Sequence, residues 1–301
     1  MPDAEFEEKE YEGPLYNQLE RKSNLLWSPG QVLENLVGID RGIFLEEALL
    51  WPFFNNQVAL KGLQLSRYKT NPFFRSIKKN HQMELPNFKL NLFIQAKRPS
   101  YSTKPTKKLR NLGLTKKYWS IYIKDEQQEI LSEFSKMIGS KGHVCYATPV
   151  FDTKKELFNH TKKETIIENS NFPPVESLVN HTRWHYNLPG SSGVANEDFI
   201  NYQFKDLKSI LENISREFVN YSSTYEDLIQ LIEIITNLIR NPNLSNSEAN
   251  FNTINSFDEI ERLGQNLQFN EAYIKYLQIV SFVSEFNLQW YIIGQGKNKG
   301  V

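Results

Sequence analysis

The sequence has a single cysteine and no apolar run long enough to cross a bilayer. With Cys145 alone among 301 residues, no internal disulfide can form, which favours a reducing, cytoplasmic setting. The most apolar stretch, residues 274–293, is interrupted by Lys275 and Glu285. The first residues are rich in acids, whereas a secretory signal begins with basic residues. We therefore expect a soluble cytoplasmic protein with no membrane partner.

Acidic residues are almost missing from one segment of the chain. Between residues 48 and 124 the only acid is Glu84, while lysine and arginine recur throughout. The formal net charge of the whole chain is zero, and acids outnumber bases over residues 197–290. A concentration of basic residues is the charge pattern expected of a surface that binds a phosphate backbone. The alternative is a solvated basic loop that binds nothing.

Hydrophobic periodicity predicts a mixed first half of the chain. Strands are expected over residues 89–97, 118–123 and 143–150, and a helix over 125–138 that ends at Gly139. A further helix is expected over residues 3–22, interrupted at Gly13 and Pro14. The fold class is therefore predicted to be α/β (α+β).

The last third of the chain has the pattern of amphipathic helices. One helical stripe comprises Leu228, Leu231, Ile235 and Leu238. Thr224 is a suitable N-cap for it, and Asn241-Pro242 stops it. One or two further helices are expected up to Ile293. We predict two units, residues 1–196 and an acidic all-helical domain over 197–301.

Two short motifs stand out against this background. Residues 91–100 read Asn-Leu-Phe-Ile-Gln-Ala-Lys-Arg-Pro-Ser, so an apolar strand leads directly into Gln95-Ala96-Lys97. Because side chains alternate along a strand, Gln95 and Lys97 point to the same face. The second motif is Gly38-Ile39-Asp40, which follows a short predicted helix or turn and leads into a strand-like segment.

These motifs and the strand–strand–helix–strand order resemble the PD-(D/E)XK nuclease superfamily over about residues 5–155. Gly38-Ile39-Asp40 is similar to its aspartate element, and Gln95-Ala96-Lys97 to its (D/E)-x-K element in the Gln-x-Lys variant of Mrr-like enzymes. The resemblance implies a restriction-endonuclease-like central mixed sheet flanked by helices, with an insertion at about residues 46–86. It also implies a glutamate on the first helix, for which Glu12 and Glu20 are both candidates.

The resemblance implies a metal-dependent endonuclease that hydrolyses DNA in restriction or phage defence. Asp40, Gln95 and Glu12 would hold Mg²⁺ or Mn²⁺, since these hard cations take oxygen ligands, and Lys97 would orient the attacking water. Flanking phosphates would be bound, without reading of base sequence, by Arg98, Lys104, Lys107, Lys108, Arg110, Lys116 and Lys117.

The sequence is also compatible with two other functions. Asn87 and Gln95 stand where carboxylates could be, which would suit a nucleic-acid-binding protein that has lost catalysis. The chain could also be a non-enzymatic interaction protein whose C-terminal helices bind a partner. These helices could mediate homodimerisation, contact with a defence-system partner or control of a nuclease. The pattern does not distinguish DNA from RNA.

A zinc site is a further alternative. His143 and Cys145 share a strand face, and His181 and His185 would share a helix face if that segment were helical. Together they would supply the nitrogen and sulfur ligands that zinc prefers. The nearby Trp184 and the prolines favour a loop there instead.

Overall fold

The computed structural model describes residues 1–22, 26–27, 88–196, 198–207, 209–210, 224–241, 244, 248–266 and 271–294. Within them the chain forms two five-stranded sheets and seven α-helices, which confirms a mixed α+β protein. The restriction-endonuclease-like arrangement stays a prediction. No helix in the described part of the chain combines the length and apolar character needed to cross a membrane.

Helices and strands are interspersed over the described part of the first two thirds of the chain. In chain order these elements are α1 (Glu8–Lys22), β1 (Leu26–Trp27), β2 (Phe88–Ala96), β3 (Ser100–Ser102), α2 (Lys107–Asn111), β4 (Tyr118–Tyr122), α3 (Asp125–Ile138), β5 (Gly142–Pro149), α4 (Lys154–Lys163), β6 (Ser170–Asn171), β7 (Arg183–Tyr186), β8 (Gly193–Asn196) and β9 (Ile200–Tyr202). The remaining elements are α5 (Thr224–Ile239), α6 (Glu248–Asn266), α7 (Glu271–Glu285) and β10 (Gln289–Gly294).

The first sheet is built around β2. Its order is β1-β10-β2-β5-β6, with β2 parallel to β5 and antiparallel to β10. The chain between β2 and β5 includes helix α3, and parallel strands need a long crossover connection of this kind. The Gln-x-Lys strand is therefore central in its sheet, with a neighbour along each edge.

The two faces of β2 pack against different parts of the chain. Leu92, Ile94 and Ala96 face a buried cluster to which α1 contributes Tyr11, Leu15, Tyr16 and Leu19. Phe93 faces the other way, into a larger cluster built by α3, α5 and α7. The ring of Phe93 stacks on Trp290 with centroids 6.2 Å apart. The sheet thus separates α1 from the C-terminal helices.

The second sheet has the order β3-β4-β7-β8-β9, and its described pairs are all antiparallel. The outer part of this sheet is covered by the short helix α2, whose Leu109 packs with Tyr118 and Val194. Gly193 lies against Trp184, where an added Cβ would come within 2.5 Å of the indole and of the His185 carbonyl oxygen. The segment around Trp184, expected to be a loop, therefore forms strand β7.

Two sequence-based expectations need correction. Helix α1 runs from Glu8 to Lys22 without ending at Gly13-Pro14, and it carries Pro14 inside. The chain up to Ile293 was expected to be helical, but Gln289–Gly294 is strand β10. Its Trp-Tyr-Ile-Ile core suits a strand, because β-branched and aromatic side chains pack well on a pleated surface.

The expected C-terminal helices are present, and α5 begins at Thr224, the residue that was expected to cap it. Strand β10 nevertheless lies next to β2, and α5 and α7 share a hydrophobic cluster with Phe93 and Val144. After the stop at Asn241, the next described helix, α6, begins at Glu248. A separate domain over 197–301 stays a prediction.

Replacing Trp290 by Phe tests whether β10 is integral to the sheet. The indole Nε1 donates to Asn91 Oδ1 at 2.9 Å, and the residue is 3% exposed. Loss of the donor leaves a buried amide oxygen unpaired and the smaller ring leaves a gap, so the free energy of unfolding should fall by about 2–4 kcal/mol. Urea unfolding followed by circular dichroism measures the change. Phe251→Leu, at an exposed position of α6, is the control, and an unaltered midpoint for Trp290→Phe contradicts the pairing.

Candidate functional site

Lys97 lies just beyond the end of β2, and its side chain is half-buried. The Nζ donates to Gln127 Oε1 on α3 at 3.1 Å and lies 5.7 Å from the centroid of the Tyr146 ring on β5. The backbone N–H of Lys97 donates to Ala147 O at 2.8 Å, which extends the pairing of β2 with β5 by one residue. The ammonium is thus held between the strand end and helix α3.

Gln95 shares that face of the strand but lies deeper. Its residue exposure is 1%, and its Nε2 donates to the carbonyl oxygen of Phe286 at 2.8 Å. Its Oε1 is buried and has no hydrogen-bond partner among the residues that the structure describes. Phe286 directly follows helix α7, so the amide of the Gln-x-Lys motif is covered by the C-terminal part of the chain.

Helix α1 brings three polar side chains to the same end of β2. Glu8, Glu12 and Tyr16 are four residues apart and form one stripe along the helix. The Glu8 Oε2 accepts from the backbone N–H of Arg98 at 3.3 Å, and Tyr16 lies in the same buried cluster as Ala96. Glu12 is buried and pairs with Lys9 at 2.8 Å.

The charges of this stripe and of Lys97 act on one another. Burial raises the pKa of Glu8, and the attraction of Lys97 opposes that rise. Burial lowers the pKa of Lys97, and Glu8 and Glu12 both oppose that fall. Burial also raises the pKa of Tyr16, with Glu12 adding to the effect. Partly desolvated acid and ammonium groups with shifted pKa values are characteristic of reactive sites, although structural ion pairs shift pKa values too.

The residues expected at the site are therefore only partly brought together. Glu12 lies within electrostatic reach of Lys97, whereas Gln95 points to the face of the sheet opposite α1. Glu20 lies in α1, but its side chain is outside the described part of the structure. Asp40, with the whole Gly-Ile-Asp motif, falls outside the described residues.

The expected nucleic-acid-binding residues divide into two groups. Two of them are engaged within the protein: Arg98 pairs with Glu7 at 3.0 Å and donates to Ala4 O, while Lys117 pairs with the buried Asp152 at 2.5 Å. The others are exposed on and around α2; they are Lys104, Lys107, Lys108, Arg110 and Lys116. We call these five residues the α2 basic surface. Lys108 also lies 5.0 Å from the centroid of the Phe199 ring.

The zinc alternative is not supported by the structure. His143 and Cys145 lie in β5 of the first sheet, whereas His185 lies in β7 of the second. The ring nitrogens of His181 bond Asn196 O at 2.8 Å and the Tyr202 hydroxyl at 3.2 Å. Among the described residues, no three or more His, Cys, Asp or Glu side chains form a group that could hold a metal ion.

Sequence reasoning missed three members of the site, namely Glu8, Tyr16 and Gln127. The four-residue spacing of Glu8, Glu12 and Tyr16 was visible in the sequence and would have favoured a shared helix face. No comparable signal existed for Gln127, because its partners are distant in sequence. No protein-family model, curated protein or solved structure matches the chain.

Replacing Lys97 and Lys117 by methionine should change stability in opposite directions. Burial disfavours the charged form of Lys97, so Lys97→Met should raise the free energy of unfolding at pH 7 by roughly 1 kcal/mol, as is common when a functional group is removed. Lys117→Met leaves the Asp152 carboxylate buried without its ion pair and should lower that free energy by about 1–3 kcal/mol. Urea unfolding of both variants measures the difference, and a loss of stability in Lys97→Met would argue for a structural ion pair.

Acid should destabilise the protein through two buried histidines. Burial lowers the pKa of His143 to about 4, and burial together with Arg183 lowers that of His185 to about 4. Between pH 6.5 and 4 the unfolded chain therefore binds protons that the folded chain does not, so stability falls as the pH is lowered through this window. We expect a loss of about 1–2 kcal/mol per histidine between pH 7 and pH 5.

The measurement is urea unfolding at both pH values, with His185→Phe as the variant and Phe158→Leu, exposed on α4, as its control. His185→Phe should show a weaker dependence on pH than the wild type. An equal dependence in both would contradict the assignment to His185.

Proposed function

We propose that this protein is a metal-dependent nuclease that hydrolyses DNA phosphodiester bonds at the end of strand β2. The observation that carries the proposal is the half-buried Lys97 side chain beside helix α1, whose Glu8 accepts from the backbone N–H of the next residue, Arg98, at 3.3 Å. Phosphodiester cleavage needs a positive group near the phosphoryl oxygens and a means to activate water. The role in restriction or phage defence rests on the resemblance of the motifs alone.

The donors near Lys97 suit a hard cation such as Mg²⁺ or Mn²⁺. Glu8 and Glu12 supply carboxylate oxygens, the ligands that these ions prefer. The described residues contain no third carboxylate in this group, so Asp40, outside the described residues, would supply the remaining anionic ligand. The ion would activate a water and offset charge on the phosphoryl group. This ligand set leaves out Gln95, because its amide points away from α1 and is bonded to Phe286 O.

The residues of the chain have separate tasks in this proposal. Lys97 orients the attacking water and neutralises charge that builds on the phosphoryl oxygens. Glu8 and Glu12 would hold the cation, and their charges favour the protonated form of Lys97. The α2 basic surface binds flanking phosphates, and its exposed lysines and arginine lie in a stretch without acids.

A second function is favoured by one specific observation. Gln95, the neutral residue where a carboxylate would be typical, is 1% exposed and already bonded to Phe286 O. A protein that binds nucleic acid through the α2 basic surface without cutting it is consistent with this arrangement. The two functions differ in a single measurable property, metal-dependent cleavage.

The decisive experiment incubates the purified protein with supercoiled plasmid, with and without Mg²⁺ or Mn²⁺. Lys97→Met and Glu12→Gln should each lower the cleavage rate by roughly 10²–10⁴-fold while DNA binding is retained, because they remove groups that act on the reacting phosphate. Absence of metal-dependent cleavage by the wild type, with binding intact, would overturn the nuclease and leave the binding protein.

Binding has its own variant and matched control. The double variant Lys107→Gln/Arg110→Gln should weaken DNA binding and reduce the slope of log K against log salt by about 2, since two phosphate contacts are lost. Lys162→Gln/Lys163→Gln changes the charge equally at two exposed positions of α4 and should leave the slope unaltered. Equal effects of the two double variants would show that only net charge matters.

A further inference from the structure

Two glutamine side chains converge on one backbone carbonyl next to the candidate site. The carbonyl oxygen of Phe286 accepts from Gln95 Nε2 at 2.8 Å and from Gln127 Nε2 at 3.2 Å. The other end of the Gln127 amide, Oε1, accepts from Lys97 Nζ at 3.1 Å. A chain of hydrogen bonds therefore runs from the Lys97 ammonium through Gln127 to the C-terminal part of the protein.

The direction of the Phe286 carbonyl is fixed by the turn between α7 and β10. The Phe286 N–H donates to Phe282 O at 3.1 Å, and the Leu288 N–H donates to Val283 O at 2.8 Å. Between them Asn287 has a φ of 50°, in the left-handed region that asparagine tolerates better than most residues. The Phe286 side chain is buried against Phe282, with ring centroids 4.9 Å apart. The turn can therefore serve as a rigid anchor.

We propose that Gln127 is a positioning residue that holds the Lys97 ammonium in place, and that the Phe286 carbonyl in turn holds Gln127. The turn between α7 and β10 thereby controls the geometry at the end of β2. A role of this positioning in catalysis rests on the proposed nuclease function. The position of the Lys97 ammonium itself can be measured whether or not the protein is a nuclease.

The chemistry of the three groups explains why a glutamine serves here. A lysine ammonium is a donor only and a backbone carbonyl is an acceptor only, so a single side chain that links them needs one acceptor and one donor. The primary amide of Gln127 supplies both at once. The four-carbon stem of Lys97 has high rotamer entropy, so without a fixed acceptor the ammonium would sample several positions.

The first test measures the order of the Lys97 side chain directly. In protein labelled with ¹³C at lysine, the Cε relaxation signal of Lys97 is identified by its loss in Lys97→Met. We expect Gln127→Leu to lower its order parameter into the flexible range, below about 0.6. Glu129→Gln, exposed on the same helix, is the control and should leave Lys97 ordered.

The second test alters the turn that carries the Phe286 carbonyl and leaves Gln127 and Lys97 unchanged. Asn287→Val places a β-branched residue where φ is positive, which forces the turn to change and moves the Phe286 carbonyl. Asn287→Gly accepts the same φ and is the matched control, since the residue is exposed. Lys97 should become mobile in Asn287→Val and stay ordered in Asn287→Gly.

The outcomes separate this inference from the proposed function. If Lys97 stays as ordered as in the wild type in both Gln127→Leu and Asn287→Val, the inference is overturned. If Lys97 becomes mobile but the wild type cuts no plasmid, the positioning stands and the nuclease proposal fails. If the wild type cuts, Gln127→Leu should lower kcat by roughly 10–100-fold with KM little altered, because a misplaced group costs rate rather than binding.

Discussion

Strand β2 is paired along both edges, with β5 in parallel and with β10 in antiparallel orientation, and the rest of the candidate site depends on this double pairing. The pairing with β5 continues to the backbone of Lys97, so the strand end is held to within one residue of the ammonium. Helix α1 packs on one face and α3 on the other. The end of β2 therefore lies between helix α1 on one face of the sheet and helix α3 on the other.

The polar side chains of β2 explain why the C-terminal part of the chain returns to this sheet. Asn91 and Gln95 lie on the face that packs against α3 and α7, where an unpaired amide would be costly. Asn91 bonds the Trp290 indole, and Gln95 bonds the Phe286 carbonyl. Both partners come from residues 286–290, so the sheet and the last helix are joined by buried hydrogen bonds as well as by apolar packing.

Charge is distributed in a way that suits a phosphate-bearing partner. The α2 basic surface is exposed and lies in a stretch without acids, whereas Arg98 and Lys117 of the same stretch pair with Glu7 and Asp152. The acids Glu8 and Glu12 lie on α1, where Glu8 accepts from the Arg98 N–H and both oppose the fall in the pKa of Lys97. The proposed centre therefore combines a local pair of carboxylates with a separate basic surface, as metal-assisted cleavage of a polyanion requires.

The sequence by itself determined the elements whose signal is local. The alternation over 89–97 predicted β2, and the periodicity that ends at Gly139 predicted α3, because these patterns depend only on neighbouring residues. It also predicted a strand that carries Gln95 and Lys97 on one face. The tertiary structure decided the identity of the strand next to β2, since β10 is separated from it by nearly two hundred residues. It also decided that Gln127 contacts Lys97 and that Gln95 faces Phe286. Contacts between such distant segments follow from how the layers pack, and they leave no periodic mark in the sequence.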